Sequence, residues 1–322
     1  MIRTTPVAFP RYCATGVIHV HTTRSDGRGE PGEIVEAALE AGLDYLAFND
    51  HRHLALMDEG WHGKRTDGLL SIVGAELQHT DLKSHLLVYG VDRLNHGGHI
   101  LSQLEEVNAM GGIAVIAHPR EKRPFVPGLG EYPWGFGTGH PVAGIEVWNW
   151  MSMWKRRVSP LNILSALNHP DARVISPCAE SVDMWMDTGG CLVGGADAHG
   201  HRILGRDVFN YGMLFQRVRT HILLDEPLTA PEQFTEALRQ GNCFISNAIS
   251  GDASGFRTSL TPEGLHMKLP GEGEVLIRGR EPEVHTGGLV FFPDVKPPVY
   301  LEVRRNGRTW IAQGRAVRKF VK

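Results

Sequence analysis

A pair of histidines, His19 and His21, stands where the first apolar run of the chain ends. The run Val17–Val20 predicts a strand, and Ser25-Asp26-Gly27 follows in the next loop. Because side chains two residues apart in a strand point to the same face, both imidazoles can bind one metal ion. In an isolated pair of this kind, one histidine usually packs in the core and the other is solvated. The pair therefore needs further ligand-type residues before it indicates a metal site.

Further ligand-type residues occur at the ends of later predicted strands. They are Asp50 and His51, Glu76, His85, His118 before Pro119, and Asp197 and His199. Each alone has an ordinary explanation, since a strand-end Asp often caps a helix and His-Pro is often a turn. With the pair at the end of the first strand, these make six coincidences, which are not expected in a barrel without a site. The carboxyl ends of barrel strands converge, so such residues can meet in one place. Together they predict a metal centre, and the mixture of imidazoles and carboxylates suits zinc, manganese or iron better than calcium or magnesium.

The elements that position these residues follow an α/β pattern. Short apolar runs predict seven strands, at Val17–Val20, Tyr45–Phe48, Leu69–Val73, Leu86–Tyr89, Ile113–Ala117, Ile145–Val147 and Cys191–Ala196. Helical patterns lie between or after them, at Pro31–Gly42, His99–Met110 and Pro231–Gln240. Buried strands that alternate with helices are typical of parallel sheets, and seven of them favour a closed or nearly closed barrel.

After the barrel region, the pattern changes to strands without intervening helices. Such runs occur at Val275–Ile277, Gly288–Phe292 and Val299–Val303, and Asn306-Gly307 predicts a hairpin turn. We therefore expect a barrel over residues 1–250 and a small β domain over residues 251–322. The sequence leaves the role of this second domain open between dimerisation, shielding of the pocket and structural support.

The composition is that of a globular chain without an unusual charge. Of 322 residues, 42% are hydrophobic and 21% are charged, and the formal net charge is -3. This balance gives no electrostatic reason to expect a membrane or a nucleic acid as partner. The segment Met1–Tyr12 lacks a signal-peptide pattern, and the four cysteines form no CxxC pair. We therefore expect a cytoplasmic protein with reduced thiols, of an oligomeric state that the sequence does not indicate.

The order of the ligand-type motifs resembles the polymerase and histidinol phosphatase (PHP) superfamily. In chain order the motifs are HxH, SDG, DH, GxE, H, HP and DxH, and the resemblance covers residues 16–200, with a looser extension to Asn247. It implies a distorted (β/α)7 barrel with a site for two or three metal ions. The SDG form and the tail after the barrel are most similar to the CehA/McbA metallohydrolase group.

The resemblance also implies how the ligands are shared among the ions. Carried over motif by motif, it implies three ion sites, formed respectively by His19, His21, Glu76 and Asp197; by Glu76, His85 and His118; and by Asp26, His51 and His199. Some relatives work with fewer ions. This chain has Asn49 where the family commonly has Thr, a change that affects hydrogen bonds around the ligands. Asp50 is expected to support the ligands without binding an ion itself.

Ions held in this way imply a hydrolytic mechanism. Two ions about 3.5–4 Å apart lower the pKa of a bridging water and hold both the attacking and the leaving oxygen. The expected mechanism is attack by a metal-bound hydroxide on a phosphorus or carbonyl centre, and the chain has no GxSxG motif for a serine nucleophile. Arg120, directly after Pro119, is either a contact for a substrate anion or a solvated loop charge next to Glu121 and Lys122.

The sequence leaves three functions open. A metal-dependent phosphoesterase is favoured, because the PHP resemblance most often implies phosphate ester hydrolysis and Arg120 offers an anion contact. A carboxylic or carbamic ester hydrolase is the alternative that the CehA/McbA resemblance favours. A metal-binding module without catalysis is the third function, and the presence of all nine ligand residues argues against it. In either catalytic case we expect a small-molecule ester as the substrate.

Aromatic residues are concentrated in two segments near the predicted site. They are Trp148, Trp150 and Trp154 after one strand, and Tyr132, Trp134 and Phe136 in a loop rich in Gly and Pro. Either these side chains pack the loops, or they line the binding pocket. In the second case the substrate has an aromatic portion, such as a nucleobase or an aryl leaving group.

Overall fold

A computed structural model describes residues 8–81, 83–95, 97–122, 130–172, 174–203 and 206–315. The first residues of the segment examined for a signal peptide and the last residues of the expected β domain lie outside these ranges. The strands are β1 Tyr12–Val20, β2 Tyr45–Phe48, β3 Arg65–Thr66, β4 Leu69–Val73, β5 Ala75–Gln78, β6 His85–Tyr89, β7 Ile113–Ile116, β8 Gly144–Asn149, β9 Cys191–Gly195, β10 His201–Ile203, β11 Arg206–Phe209, β12 Val218–Leu224, β13 Cys243–Asn247, β14 Arg257–Thr261, β15 Gly264–Leu269, β16 Gly273–Ile277, β17 Glu283–His285, β18 Gly288–Pro293, β19 Val299–Arg305 and β20 Arg308–Arg315. The α-helices are α1 Pro31–Glu40, α2 Ala55–Asp58, α3 Ile100–Ala109, α4 Trp150–Lys155, α5 Ile163–Asn168, α6 Ala179–Thr188, α7 Tyr211–Phe215 and α8 Pro231–Arg239. None of these helices is long and apolar enough to cross a bilayer.

The strands that carry the predicted ligands belong to two mixed sheets. One sheet has ten strands in the order β17-β16-β19-β20-β13-β12-β1-β2-β4-β3, and the other has five in the order β5-β6-β7-β8-β9. All seven predicted strands are present, and the α/β class is confirmed. The expectation of a closed barrel is not confirmed, because these strands belong to two separate sheets. Backbone hydrogen bonds join the two sheets at their ends, from Ala196 to Ile18 and from Glu76 to Asp50, both at 3.1 Å.

The expectation of a parallel sheet was wrong for part of the structure. Strands β1, β2 and β4 are parallel to one another, as are β7, β8 and β9. Strand β6, however, is antiparallel to both β5 and β7. The connection from β5 to β6 spans only residues 79–84, which is too short for the crossover that parallel neighbours require.

The two sheets face each other across a shared apolar core. Ile18 and Ile72 of the large sheet and Val115 and Val193 of the smaller one are buried in the same cluster. Helix α8 contributes Phe234 to this core, packed 5.2 Å from the ring of Tyr45. These contacts fix the position of the two sheets relative to each other, so that the loops after β1, β2, β7 and β9 surround one common space.

The three predicted helices are confirmed, with ends one or two residues inside the expected limits. Helix α1 begins at Pro31 and buries Ile34, Val35 and Ala38 on the face toward the sheet. Its first turn is stabilised by Glu33, whose carboxylate accepts the backbone N–H of Glu30 at 3.1 Å. A proline at the first helical position and an acidic first turn are thus reliable signals of a helix start here.

The C-terminal strands form two sheets, one of which continues the large sheet. Strand β20 pairs with β13, and Asn306-Gly307 makes the predicted turn between β19 and β20. Strands β14, β15 and β18 form a separate sheet. The apolar side chains of Phe244, Phe256 and Trp310 pack together between them. The division at residue 251 stays a prediction, and the structure adds that hydrogen bonding runs across it.

Candidate metal centre

The nine residues predicted to bind metal ions come together at one end of the two sheets. They are His19 and His21 at the end of β1, Asp26 in the following loop, His51 after β2, Glu76 in β5, His85 at the start of β6, His118 after β7, and Asp197 and His199 after β9. Most of these side chains are buried, whereas 55% of the Asp26 side chain is exposed. Their roles as metal ligands stay a prediction.

The carboxylate of Glu76 lies at the middle of the cluster. Its Oε2 atom is 3.3 Å from Nε2 of His19, 3.3 Å from Nε2 of His21 and 3.2 Å from Nδ1 of His51. Three imidazoles from the large sheet therefore face one carboxylate oxygen from the small sheet.

The second oxygen of Glu76 faces a different set of side chains. Its Oε1 atom is 2.6 Å from Nδ1 of His85 and 3.2 Å from Nε2 of His118. A carboxylate that presents one oxygen to each of two imidazole sets has the arrangement needed to bridge two ions.

Four groups of donor atoms lie close enough together to hold an ion. Within each group all donor atoms are within 4.8 Å of one another, and the groups are His21, Asp26, His51 and His199; His19, His21 and Glu76; His19, His118 and Asp197; and Glu76, His85 and His118. The last group agrees with the second predicted site. The first predicted site is divided between two groups, and His21 also approaches the third, because its Nδ1 atom lies 3.5 Å from Oδ1 of Asp26.

Several donor atoms in the cluster have no hydrogen-bond partner. They are Nε2 of His19, both ring nitrogens of His21 and Nδ1 of His51, all of them buried. An unsatisfied buried polar atom is costly, and folded proteins rarely leave several in one place. Divalent ions would satisfy these atoms, and donors of imidazole nitrogen and carboxylate oxygen suit zinc, manganese or iron. The residues present therefore fit a metal centre.

Three of the candidate ligands have a backbone conformation that non-glycine residues rarely adopt. The φ angles are 64° for His19, 28° for His118 and 53° for Asp197. Each such residue costs on the order of 1–3 kcal/mol, and residues of this kind concentrate at functional sites. The three residues form one of the donor groups. The strain is thus located where the chain turns these side chains toward one point.

The ionisation states of the two central carboxylates and of His21 suit metal binding, whereas the carboxylates outweigh burial and raise the pKa of His19, His51, His118 and His199. Burial opposes ionisation of Glu76, but the imidazoles of His85 and His19 outweigh it and hold the pKa of this carboxyl well below its ordinary value. Burial likewise opposes ionisation of Asp197, and His19 and His199 lower its pKa in the same way. Burial and the adjacent His199 lower the pKa of His21 well below its ordinary value. Charged carboxylates and a neutral imidazole are the forms that bind metal ions.

Glu146 is an important residue of the site that the sequence did not indicate. Its Oε1 atom accepts the Nδ1–H of His19 at 2.9 Å, and its Oε2 atom accepts the backbone N–H of His118 at 2.8 Å. The Nδ2 group of Asn149 donates to the same Oε2 at 3.0 Å. A lone carboxylate inside the apolar strand Ile145–Val147 was the available signal, because such a group must find buried partners.

A second missed group forms one wall of the site. Lys155, the last residue of α4, makes an ion pair with the buried Glu121. The other oxygen of Glu121 accepts the backbone N–H of Tyr132 at 3.0 Å. The ring of Tyr132 stacks on His85, with 5.2 Å between ring centroids. No periodicity or motif marks Lys155, because its place depends on how α4 packs after β8.

Asn49 and Asp50 contact the parts of the chain that carry the ligands. The Oδ1 atom of Asn49 accepts the backbone N–H of His19 at 3.0 Å. The carboxylate of Asp50 accepts hydrogen bonds from the backbone and hydroxyl of Thr22, both at 2.8 Å, and from the Ser25 hydroxyl at 2.6 Å. Asp50 therefore holds the loop that carries Asp26, and its role in the site stays a prediction.

Arg120 and the tryptophans differ in how far they approach the cluster. Arg120 is exposed directly after Pro119, and its contact with a substrate anion stays a prediction. Trp148, Trp150 and Trp154 are at most 3% exposed and belong to the apolar core. These three tryptophans therefore pack the loops, whereas Tyr132 stands beside a candidate ligand.

Comparison with known proteins finds a similarity to the PHP domain in the N-terminal part of the chain. The family model of the PHP domain matches residues 18–111, the segment that holds six of the nine candidate ligands. No curated protein matches the chain.

Three solved structures are similar to this chain at low sequence identity. A two-domain protein of Bacteroides vulgatus that contains a predicted PHP-like metal-dependent phosphoesterase is 12% identical, with 98% of this chain and 100% of that chain covered and a TM-score of 0.48. A protein of Bifidobacterium adolescentis, assigned as a metal-dependent phosphoesterase, is 18% identical, with 61% and 92% covered and a TM-score of 0.38. An amidohydrolase of Chromobacterium violaceum, solved with sulfate and no metal, is 17% identical, with 72% and 98% covered and a TM-score of 0.35.

Proposed function

We propose that this protein is a metal-dependent phosphoesterase with two or three ions at the cluster around Glu76. The observation that carries the proposal is the position of Glu76, whose two carboxylate oxygens face two separate sets of imidazoles. The match of residues 18–111 to the PHP domain supports it as well. Divalent ions bound there would activate water as a nucleophile and neutralise charge on the reacting phosphoryl group.

The residues around the ligands fix which ring nitrogen faces the centre. His19 donates its Nδ1–H to Glu146, which leaves Nε2 as the ligand atom. His118 donates its Nδ1–H to the carbonyl oxygen of Tyr132 at 3.2 Å, and His199 donates its Nδ1–H to the carbonyl oxygen of Asp197 at 3.0 Å. In all three histidines the proton is held on Nδ1, and Nε2 points into the cluster. Such hydrogen bonds orient metal-binding imidazoles and raise their basicity.

Two further residues, Asp50 and Arg120, would contribute to the site without binding an ion. Asp50 holds the loop of Asp26, so that the most exposed ligand keeps its place. Arg120 stands at the surface beyond His118, where its guanidinium would attract an anionic substrate. Asp26 is the most exposed of the candidate ligands, and a small-molecule ester is the substrate that we propose for the centre.

Metal analysis combined with three model substrates tests this proposal. The purified protein is compared with a His19→Ala/Asp197→Ala variant for metal content and for hydrolysis of p-nitrophenyl phosphate, bis(p-nitrophenyl) phosphate and p-nitrophenyl acetate. Two or three ions per chain, with a phosphate ester activity that falls about a thousandfold or more in the variant, is the expected result. Turnover of the acetate alone would assign the centre to carboxylic or carbamic esters, as in the CehA/McbA group. A protein that binds no metal would overturn the proposal.

A further inference from the structure

A buried cation lies against the cluster of candidate ligands. The side chain of Lys155 is 13% exposed, and its Nζ atom lies 5.5 Å from the ring centre of Tyr132. Its helix α4 directly follows β8, the strand that lies between β7 and β9 in the smaller sheet, and those two strands are followed by His118 and Asp197. Lys155 therefore stands near the ligands that follow β7 and β9.

Glu121 fixes the position of this cation. The two side chains form an ion pair, and Glu121 is tied in turn to the backbone N–H of Tyr132 at 3.0 Å. The same carboxylate lies 4.0 Å from Nδ1 of His118. Because an ammonium group has three N–H donors, a single carboxylate leaves donor capacity for another partner.

Structural stability alone is a poor reason for a lysine at this position. A buried ion pair seldom stabilises a protein more than well-packed apolar side chains of similar volume would. Divalent ions at the neighbouring ligands would also repel the ammonium group across a short distance. An anion bound between the ions and Lys155 would reverse that repulsion.

We propose that Lys155 binds the non-bridging oxygens of the substrate phosphate and that Glu121 positions it for this contact. The inference rests on the proposed function, because it names the group of the substrate that the buried wall of the site recognises. The exposed Arg120 would attract the negatively charged substrate from the surface, whereas Lys155 would make the site selective for an anionic ester.

Phosphate binding to the metal-loaded protein tests the inference without reference to turnover. Inorganic phosphate is titrated by calorimetry into the wild type, Lys155→Met, Lys155→Arg and the surface control Lys122→Met. Lys122 is suited as the control because it is 56% exposed and pairs with Glu180. The Kd of phosphate is expected to rise about tenfold to a hundredfold in Lys155→Met, as for the loss of one charged hydrogen bond. Lys155→Arg should recover most of the affinity, and Lys122→Met should match the wild type.

A second variant keeps the test decisive if Lys155→Met does not fold. Lys155→Met/Glu121→Met leaves no unpaired buried charge, and it should show the same loss of phosphate affinity. A folded variant with wild-type metal content and unchanged phosphate affinity would overturn the inference, and so would a wild type that binds no phosphate.

Kinetics separate this inference from the proposed function. In Lys155→Met, kcat/KM for p-nitrophenyl phosphate should fall by about the same factor as the affinity for phosphate. If p-nitrophenyl acetate is hydrolysed, kcat/KM for that ester should change less than about threefold in the same variant. A wild type without ester hydrolysis but with phosphate affinity that depends on Lys155 would contradict the proposed function alone. Active wild type and Lys155→Met enzymes with equal phosphate kinetics would contradict the inference alone.

Discussion

The Oε1 atom of Glu146 lies 2.9 Å from Nδ1 of His19, and both side chains are fully buried. The other oxygen of Glu146 accepts the backbone N–H of His118. One carboxylate from β8 thereby orients the ring of a histidine at the end of β1 and holds the backbone of a histidine after β7. Since both histidines have positive φ angles, Glu146 stabilises two of the three candidate ligands whose backbone is strained.

Glu146→Gln should weaken metal binding while the fold is kept. The amide can accept the proton of His19 with its oxygen, but its NH2 group cannot accept the backbone N–H of His118. We expect the affinity for the first ion to fall about tenfold to a hundredfold, as is typical when a partner of a metal ligand is lost. Competition with a chelator of known affinity measures this change.

The control for that measurement is Glu180→Gln. Glu180 is 42% exposed and pairs with Lys122 and Arg156, away from the ligands. Its removal should leave metal affinity unchanged. Equal affinities in the wild type and Glu146→Gln would show that His19 needs no carboxylate to bind an ion.

Gly195→Ala in β9 should also disrupt the contact between Glu146 and His19. A Cβ atom at this position would overlap Oε1 of Glu146 and would lie 2.8 Å from Cβ of His19. We expect a loss of roughly 1–3 kcal/mol in the free energy of unfolding, as for other overpacked core sites, together with weaker metal binding. Chemical denaturation and the chelator assay measure the two effects.

Gly32→Ala is the matched control for Gly195→Ala. A Cβ atom at Gly32 would meet nothing within 4 Å, and the residue lies in helix α1. Alanine there should be neutral or stabilise the protein by about 0.5–1 kcal/mol. If Gly195→Ala behaves like this control, the close approach of Glu146 to β9 is not required.

Most of the candidate ligands could be predicted because they lie at or near the end of a strand that the sequence makes visible. Apolar runs such as Tyr45–Phe48 and Leu69–Val73 coincide with β2 and β4 to the residue. The side chains just after such runs must lie at a sheet end, so His51 and Glu76 could be placed without knowledge of the fold. The match of motif order to the PHP superfamily added the grouping of these residues.

The rest depended on information that local sequence does not hold. An apolar run has no direction, so the antiparallel orientation of β6 and the open edges of the sheets could not be predicted. Glu146 and Lys155 act on residues far away in the chain, and their contacts exist only after β8 and α4 pack against the ends of β1 and β7. Strand β12, with Arg219 and His221 among its apolar residues, lacks the continuous apolar run that marked the others.

Asp26→Ala should reduce the number of bound ions by one. Asp26 belongs to one donor group only, with His21, His51 and His199, whereas Glu76, His85 and His118 form a group without it. Loss of an exposed carboxylate should therefore empty the site near Asp26 and leave the others filled. Elemental analysis after dialysis gives the number of ions per chain.

The control for the ion count is Glu30→Gln in the same loop region. Glu30 is exposed and pairs with Arg24 rather than with a ligand, so its change should not alter the count. An Asp26→Ala protein with the full number of ions would show that the three histidines suffice, or that only the sites around Glu76 are ever filled.

His221 should make the protein less stable in mild acid. Burial, together with the nearby Arg219, lowers the pKa of His221 to about 3 in the folded state. An unfolded chain binds this proton with a pKa of about 6.5, so below that pH the unfolded state takes up a proton that the folded state does not. Stability is therefore lost as the pH falls from about 6.5 toward 3, and the loss from this residue is about 2 kcal/mol at pH 5.

His221→Gln keeps a side chain that can reach the hydroxyls of Thr15 and Ser246, the present partners of the ring at 3.0 and 2.7 Å. Urea denaturation at pH 7 and pH 5 should show a difference between the two pH values that is smaller in the variant by about that amount. The candidate ligands titrate equally in both proteins, so an identical pH dependence would mean that His221 takes up its proton without unfolding.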